Sequence, residues 1–580
     1  MHAFRKPHTL GLIALILIGA VVGLFRLYKW THPSPSCLTE FDLIITGAEI
    51  IDGAGQEPFF ADIGIKDKRI RCIGDLAGAK SQRIIDAKGL SVAPGFIDVH
   101  THVERNVPTN SPFLAPNFVQ QGVTTIITGN CGRSFLDVAK FLKLLEANGS
   151  QVNVATLIGH NTVRQSVMKQ LSSAPTPQQL QAMSSLVDRA MADGAFGMST
   201  GLVYIPGTFA KTDEIVALAK RAARRRGIYV SHIRDEAAKG EAAIREALAV
   251  GEKTGAHVHI SHFKAQGPNQ WGAARARLDL LESAQTLGQT ISLDQYPYNA
   301  SSTGLAVLLP SWLSDGSLGN AQRKLSDPAT RARVRKEMLA QLRDNGWNDY
   351  SFARIAYCQF DRSLIGLNIA EVTEKRNAAD ATSHHANAVK GALRHSAATK
   401  SETEVESRLL QQADTVIDLY THGGAQMVFF DMDEDDIETI IKNPAVMFGS
   451  DSSVRGEDGS ARPHPRGFGT FPRVIGLYAR DKGLLSVEEA VRRMTSLPAT
   501  TFGIGERGYI RVNYWADLVI FDRNRILDRA THEEPLNAPD GISYVIVNGL
   551  IVLDQNGPTT VNPGMVIRHD AQSEAQPATP

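Results

Sequence analysis

Short apolar runs alternate with amphipathic segments through the middle of the chain. Such runs are typical of strands covered by helices on both faces, and segments such as 212–226 carry apolar residues at helical spacing. The predicted strands end, in chain order, at His100, Thr128, Gly159, Thr200, His232, His262, Gln295 and Asp451. Eight such units in about 350 residues predict an α/β fold of the (β/α)8, or TIM-barrel, type. A doubly wound open sheet is the alternative, but no Gly-x-Gly-x-x-Gly follows the first strand, so its nucleotide-binding form has no support.

Both ends of the chain are rich in short strands separated by turn dipeptides such as Asp52-Gly53. Two strand-rich ends that bracket one unit predict a small composite β-sandwich domain built from both termini. Between them the barrel carries an insertion whose charged part, 374–410, is low in aromatic residues. The predicted division is 37–92 and 508–568 for the β domain, 93–507 for the barrel, about 310–430 for its insertion, and 569–580 for a disordered tail.

Residues 1–36 differ in kind from the rest of the chain. Arg5 and Lys6 precede an apolar run over 10–25. As a helix this run would be about 24 Å long, slightly less than a hydrocarbon core of about 30 Å. We expect an N-terminal hydrophobic helix that anchors the protein in a membrane, with the catalytic domain on the extracytoplasmic, periplasmic side. A cleaved signal peptide is the rival, although no clean small-x-small site follows the run.

Composition narrows the class of function. The 580 residues include 61 basic and 61 acidic ones, and no long basic run occurs, which argues against a nucleic-acid partner. The four cysteines are too few and too scattered for a disulfide scaffold or a paired zinc knuckle.

Residue types that bind divalent metals lie at five of the predicted strand ends. They are His100, His102, Cys131, His232, His262 and Asp451. Each has an ordinary structural explanation when taken alone, such as a core histidine or a helix cap. In a barrel, however, the carboxyl ends of all strands meet at one mouth, so these side chains are expected to converge there. Mixed histidine, cysteine and carboxylate ligands favour Zn²⁺ over Mg²⁺ or Ca²⁺. Six ligands exceed the needs of one tetrahedral ion, so a pair of metal positions, one of them only partly filled, is an open alternative.

At these residues the chain resembles the amidohydrolase superfamily, and more narrowly the N-acyl-D-amino-acid deacylases, also called D-aminoacylases. The likeness runs in order through nearly all of 42–568, leaving out the N-terminal segment and 374–410. The segments that carry it are Pro94-Gly-Phe-Ile-Asp-Val-His-Thr-His, Gly129-Asn-Cys-Gly, Gly159-His-Asn-Thr-Val-Arg, Gly197-Met-Ser-Thr-Gly-Leu-Val-Tyr, Ser231-His-Ile-Arg-Asp-Glu, Ser261-His-Phe-Lys, Asp294-Gln-Tyr-Pro-Tyr, Gly449-Ser-Asp, His464-Pro-Arg-Gly-Phe-Gly-Thr-Phe-Pro-Arg and Tyr514-Trp-Ala-Asp-Leu-Val.

The resemblance implies a role for each matching position. It implies a tightly held Zn²⁺ on Cys131, His232 and His262, and a second, weaker metal position on His100, His102, Cys131 and Asp451. It implies substrate contacts from Tyr204, Lys264, Tyr296, Ser302 and Arg466. One departure from the family pattern is Val103-Glu104, since an acidic residue often follows the second histidine directly.

These residues lead to one function hypothesis. A zinc-dependent hydrolase would cleave the amide bond of a small N-acyl-D-amino acid, with Asp451 taking a proton from a metal-activated water and returning it to the leaving amine. The planar guanidinium of Arg466 suits the substrate α-carboxylate. The D configuration follows from the resemblance alone. The alternatives are another amidohydrolase reaction on a cyclic amide or imide, and a non-catalytic, membrane-anchored binding protein.

Overall fold

The computed structural model describes Cys37 and residues 40–314, 317–385, 402–455 and 461–570. The predicted N-terminal anchor over 1–36 lies outside these residues, as do residues 571–580 of the predicted tail. Across the described ranges, no helix is both long enough and apolar enough to cross a membrane.

The described residues form a mixed α/β fold with 21 strands. In chain order these are β1 (Phe41–Ile50), β2 (Phe59–Lys66), β3 (Arg69–Gly74), β4 (Ser81–Asp86), β5 (Ser91–Pro94), β6 (Phe96–Asp98), β7 (Val123–Thr128), β8 (Asn153–Thr156), β9 (Ile158–Gly159), β10 (Gly197–Gly201), β11 (Ile228–His232), β12 (Val258–Ile260), β13 (Ile291–Gln295), β14 (Ser301–Gly304), β15 (Ala353–Tyr357), β16 (Gln426–Phe429), β17 (Val446–Phe448), β18 (Leu518–Phe521), β19 (Ile542–Val547), β20 (Leu550–Asp554) and β21 (Gly557–Pro558).

Helices follow most of the central strands. In the described ranges the α-helices are Pro116–Val119, Val138–Asn148, His160–Val167, Pro177–Ala192, Thr212–Ala223, Gly240–Thr254, Ala274–Thr286, Leu318–Leu325, Pro328–Asp344, Ile369–His385, Glu402–Thr421, Glu434–Ile441, Arg466–Arg473, Val487–Met494 and Ser496–Phe502. The helix Arg466–Arg473 continues as one π-helical segment, Val474–Asp481.

Two parallel sheets lie at the centre of the fold. One has the order β6-β7-β8, and the other has the order β17-β13-β12-β11-β10-β9. The sheets adjoin at both edges, because β8 runs almost directly into β9 and a parallel bridge joins Thr101, after β6, to Ser452, after β17. All of these strands point the same way, so their carboxyl ends face one side of the molecule. The predicted ends Thr128, Gly159, His232 and Gln295 coincide with observed strand ends.

Strands from both termini share a single nine-stranded sheet. Its path is β21-β20-β19-β18-β5-β1-β2-β3, and β4 pairs with β1. Antiparallel pairing of β18 with β5 joins the C-terminal strands to the N-terminal ones. A disulfide links Cys37 to Cys72 on β3, with 5.3 Å between their Cα atoms. Sequence reasoning missed this bridge, because four scattered cysteines carry no sign of which pair meets in space.

The predicted insertion has a core of its own. Residues that include Val334, Met338, Tyr350, Val416 and Phe429 pack together in it. Beside this core, β14, β16 and β15 form an antiparallel sheet. Because β14 directly follows the loop after β13, this small sheet is attached at the carboxyl end of the parallel strands.

Candidate metal centre

The candidate ligands lie at or just beyond the carboxyl ends of the parallel strands. His232 is the last residue of β11. His100 and His262 each come two residues after a strand, β6 and β12 respectively, while Cys131 and Asp451 each come three residues after β7 and β17. The strand ends therefore bring five chain segments, far apart in sequence, to one place.

The sulfur of Cys131 is the centre of the first group. Its Sγ atom lies 3.3 Å from His100 Nε2, 3.5 Å from His232 Nδ1 and 3.6 Å from His262 Nε2. All four side chains are buried. Three imidazole nitrogens thus lie within 3.6 Å of one buried thiol sulfur, and both kinds of atom commonly bind zinc.

A second group lies beside the first and shares His100 with it. His102 Nε2 is 3.0 Å from Asp451 Oδ1, and His100 Nε2 is 3.6 Å from the same oxygen. Ligand atoms of these three residues all lie within 4.8 Å of one another. The side chain of His102 keeps 29% of its surface accessible to solvent, so this group lies nearer the opening than the Cys131 group.

The backbone at three of the ligands adopts an unusual conformation. Cys131, His262 and Asp451 have φ angles of 49°, 35° and 48°, in the left-handed region that residues with a side chain rarely adopt. Such conformations persist only where the surrounding structure holds them, and they are concentrated at functional sites. Gly449, two residues before Asp451, has no room for a side chain, because a Cβ atom there would lie 2.6 Å from the Cβ atom of His100.

Charge interactions override the effect of burial at these side chains. Burial by itself raises the pKa of the Cys131 thiol, but His100 and His232 lower that pKa well below its usual value. Burial likewise raises the pKa of the Asp451 carboxyl, and Arg466 together with His100 lowers it far more. The site therefore favours a thiolate and a carboxylate, which are the charged forms that bind metal ions.

Buried carboxylates outside the predicted set hold the ligands in place. Asp294 Oδ2 lies 3.3 Å from His100 Nδ1 and 2.7 Å from His259 Nε2, and its Oδ1 accepts the backbone N–H of His262. Asp98 Oδ1 accepts the backbone N–H groups of His100 and Ser450. Sequence reasoning did not assign these roles, although both aspartates lie within the motifs that carry the family resemblance.

Arg466 and Lys264, two of the predicted substrate-binding residues, lie beside the ligands. Arg466 Nη1 is 2.9 Å from Asp451 Oδ2, and its guanidinium carbon lies 4.5 Å from the centre of the Tyr296 ring. Lys264 Nζ lies 5.6 Å from the centre of the same ring. The Lys264 ammonium also donates to Glu236 Oε1 at 2.6 Å. Two cations therefore flank Tyr296 next to the metal-ligand groups.

Tyr204 packs against another of the candidate ligands, His232. The centre of its ring lies 4.9 Å from that of His232, in an edge-to-face arrangement. Its hydroxyl accepts a hydrogen bond from the Thr303 hydroxyl at 3.1 Å. Because Thr303 belongs to β14, this bond ties the edge of the insertion to the metal-ligand groups.

Ser302 is near the same residues, but its hydroxyl is engaged elsewhere. Its Oγ donates to the backbone carbonyl of Met427 on β16 at 2.8 Å. Its own carbonyl oxygen accepts a hydrogen bond from Arg466 Nη2 at 3.2 Å. In this structure Ser302 therefore contacts the site through its backbone.

Glu104, in the departure from the family pattern, braces a neighbouring loop. Its Oε1 accepts hydrogen bonds from the hydroxyl of Thr128 and from the backbone N–H of Gly129. These two residues lead directly into the turn that carries Cys131. Glu104 thus supports a candidate ligand without joining either group of ligand atoms.

Comparison with known proteins agrees with this geometry. The profile of the Amidohydrolase family matches residues 83–553. An N-acyl-D-glutamate deacylase and a D-aminoacylase, both from Alcaligenes xylosoxydans xylosoxydans, are each 34% identical to this chain. The first alignment covers 93% of this chain and 99% of the relative, and the second covers 92% and 98%. This protein therefore belongs to the amidohydrolase family.

A solved structure extends the likeness to three dimensions. The N-acyl-D-glutamate deacylase of Bordetella bronchiseptica was crystallised with zinc and a phosphonate inhibitor that mimics the tetrahedral intermediate of its reaction. It matches this protein with a TM-score of 0.72 and 34% sequence identity, over 91% of this chain and all of the other. The two proteins thus share both a mixed α/β fold and a substantial part of their sequence.

Proposed function

We propose that this protein is a zinc-dependent hydrolase that cleaves the amide bond of N-acyl-D-amino acids, giving a carboxylate and a D-amino acid. The observation that carries the proposal is the convergence of three imidazole nitrogens on the sulfur of Cys131 within 3.6 Å. The relatives named above act on N-acyl-D-glutamate or are D-aminoacylases, which supports both the reaction and the configuration of the substrate.

The distances from the sulfur of Cys131 to two of the candidate histidine ligands fit zinc. With Zn–S near 2.3 Å and Zn–N near 2.0–2.1 Å, tetrahedral geometry separates a sulfur and a nitrogen ligand by about 3.5 Å. The separations from Cys131 Sγ are 3.5 Å to His232 Nδ1 and 3.6 Å to His262 Nε2. These three residues would hold the tighter ion, while His100, His102 and Asp451, together with Cys131, would supply the ligands of a second one.

Proton transfer would fall to a residue of the chain. When bound, zinc polarises the amide carbonyl and makes water a stronger acid at neutral pH. Asp451, the carboxylate nearest His102, would accept the proton of the attacking water and return it to the departing nitrogen. Its low pKa keeps it ionised at neutral pH, in the form that is able to act as a base.

Recognition of the substrate carboxylate would fall to the cations beside Tyr296. Arg466 offers a planar pair of N–H donors, and Lys264 offers an ammonium group near the same ring. Tyr204 and Ser302 would line the remaining space. With the carboxylate fixed at one point and the scissile carbonyl at another, only one enantiomer directs its side chain into free space, which makes the site stereoselective.

The proposal extends to the architecture that presents the site. We infer that the parallel strands form a closed (β/α)8 barrel within 93–507, with a composite β domain from 37–92 and 508–568 beside it. Support comes from the contacts that join the two parallel sheets at both edges, the bridge between Thr101 and Ser452 and the hydrogen bond from Leu157 N–H to the Thr128 carbonyl.

We also propose that the protein works outside the cytoplasm. The Cys37–Cys72 disulfide supports this location, because structural disulfides persist in oxidising compartments and are rare in the cytosol. The apolar run within 1–36, which predicts an export signal or an anchor, points the same way. Fractionation of cells that make the full chain, with trapping of free thiols at lysis, tests this location.

The test of function is a substrate panel measured with and without metal. The purified full-length protein is assayed on N-acetyl-D-methionine, N-acetyl-D-glutamate, their L forms and a cyclic imide. We expect turnover of a D substrate that disappears on zinc removal and returns when zinc is added. Equal activity before and after complete zinc removal contradicts the proposal, and turnover of the imide alone favours the cyclic-amide alternative.

A matched pair of cysteine variants separates the site from general effects of losing a thiol. Cys131→Ser should lose both bound zinc and turnover. Cys358→Ser changes the other buried free cysteine, which belongs to the core of the insertion, and should keep both. A Cys131→Ser protein that binds zinc as tightly as the wild type would contradict the assignment of the ligand.

A further inference from the structure

Glu236 lies beside two of the candidate zinc ligands, His232 and His262, on the side of their rings that faces away from Cys131. It has no part in the function proposed above. Its carboxylate is buried, with 8% of the side-chain surface accessible. Oε1 lies 3.0 Å from His262 Nδ1 and 2.6 Å from Lys264 Nζ, while Oε2 lies 3.7 Å from His232 Nε2. One carboxylate therefore faces both imidazoles and the neighbouring ammonium.

The two imidazoles turn opposite nitrogens toward Cys131. His232 presents Nδ1 and His262 presents Nε2 to the sulfur, and in each ring the other nitrogen faces Glu236. A neutral imidazole that binds a metal through one nitrogen must carry its proton on the other. A carboxylate at that second nitrogen accepts the proton's hydrogen bond and so fixes both the tautomer and the orientation of the ring.

We propose that Glu236 is a positioning residue that fixes the metal-binding tautomers of His232 and His262 and links them to Lys264. This inference rests on the proposed zinc centre. With a metal ion on the Cys131 side of the ring, His262 Nδ1 must carry the proton, and Oε1, 3.0 Å away, is placed to accept it while also accepting from the ammonium of Lys264 at 2.6 Å. Oε2 lies 3.7 Å from His232 Nε2, which makes that contact electrostatic rather than a hydrogen bond. The metal ligands and a cation of the substrate site thereby share one anchor.

Glu236 could itself bind a metal with these histidines, since ligand atoms of the three lie within 4.8 Å of one another. Lys264 argues against that arrangement. Its ammonium lies 2.6 Å from Glu236 Oε1 and 2.9 Å from His262 Nδ1, in the space that a cation would need. A divalent ion there would also meet the repulsion of the lysine charge. The geometry thus leaves the Cys131 side of both rings for the metal.

The chain supplies a close control for this inference. Glu214 is also buried, lies 2.9 Å from His160 Nε2 through Oε1, and pairs with Arg164. It has the same combination of a carboxylate, an imidazole and a cation, but none of these residues belongs to either ligand group. Replacement of Glu214 therefore measures the general effect of disturbing a buried histidine–carboxylate pair.

The experiment measures zinc affinity by competition with a chromophoric chelator, together with the rise in Tm that zinc produces, in the wild type, Glu236→Gln and Glu214→Gln. We expect Glu236→Gln to weaken zinc binding by about 10- to 100-fold and to reduce the zinc-dependent rise in Tm. Glu214→Gln should lower the Tm of the metal-free protein and leave zinc affinity unchanged.

The outcomes separate this inference from the proposed function. Wild-type protein that binds no zinc overturns both. Wild-type protein that binds zinc, with Glu236→Gln binding it equally well, overturns only the role of Glu236, as does an equal loss in the Glu214→Gln control. If Glu236→Gln does not fold, Glu236→Asp takes its place, since it keeps the charge but shortens the side chain by one methylene. This variant should bind zinc more weakly than the wild type. Equal affinity overturns the inference.

Discussion

Arg466 Nη1 lies 2.9 Å from Asp451 Oδ2, and both side chains are nearly buried. This ion pair joins the residue proposed to bind the substrate carboxylate to the residue proposed to move the proton. An arriving carboxylate must therefore share Arg466 with Asp451. Carboxylate binding and the basicity of Asp451 are coupled through one guanidinium.

Replacement of Arg466 should affect both binding and pH dependence. Arg466→Met removes a charged hydrogen-bond donor, so we expect KM to rise by about 10- to 100-fold. It also removes the nearest cation from Asp451, which raises the pKa of that carboxyl. Because activity needs the ionised form and falls as pH falls through this pKa, the acid limb of kcat/KM should move to higher pH.

Arg466→Lys separates these two effects. Lysine keeps the positive charge beside Asp451 but lacks the planar fork, so KM should rise while the acid limb stays near its wild-type position. An unchanged KM in both variants, measured on the best D substrate, would remove Arg466 from the substrate site.

Asp451→Asn tests the proton shuttle. The amide keeps the shape of the side chain but does not act as a base, so kcat should fall by about 10²- to 10⁴-fold. Zinc bound by Cys131, His232 and His262 should remain at about one ion per chain, measured by elemental analysis. Full turnover in this variant, with normal zinc content, would show that another group moves the proton.

The disulfide should contribute measurably to stability. Cys37 and Cys72 are 35 residues apart, and for a loop of this size Cys72→Ser should lower the free energy of unfolding by about 2–4 kcal/mol. Thiol titration of the unreduced protein, denatured with a chelator present, should find only Cys131 and Cys358 reactive. Cys358→Ser serves as the control for the stability measurement, and four reactive thiols would show that the bridge does not form.

Stability should fall in mildly acidic solution partly because of His257. Burial, followed by the nearby His259, lowers the pKa of His257 to about 4. The unfolded chain has a histidine pKa near 6.5 and binds this proton first, so stability is lost as pH falls from about 6.5 toward 4. His257→Gln should remove about 1–3 kcal/mol of this pH-dependent loss.

The check is chemical denaturation at a series of pH values. The variant His422→Gln, which changes an exposed histidine, is measured alongside as the control. If the His257→Gln profile is parallel to that of the wild type, His257 is protonated in the folded protein as readily as in the unfolded chain.

The ends of the central strands were predictable because they obey local rules. A strand buried on both faces reads as a largely apolar run, and the polar residues that close the run mark where the strand ends, as at His232 and Gln295. The positions of His100, His262 and Asp451 were harder, because each lies two or three residues beyond the hydrogen-bonded strand.

Partners of the ligands were not predictable in the same way. The bonds from Asp294 to His100 and from Lys264 to Glu236 connect residues that are 194 and 28 positions apart. No local pattern specifies such a pair, because the contact arises from the closeness of different strand ends. The hydroxyl of Ser302 is a similar case, since its bond to Met427 depends on how the insertion strands pair.

The left-handed backbone at Cys131, His262 and Asp451 lowers the stability of the fold while it places three candidate metal ligands. Conformations of this kind cost about 1–3 kcal/mol each, and glycine would relieve the cost at any of the three positions while deleting a ligand. A library screened only for heat resistance would therefore accumulate glycine at these turns. The most heat-stable variants from such a library would lack activity. A screen that alternates heating with an activity assay is therefore needed to retain a working enzyme.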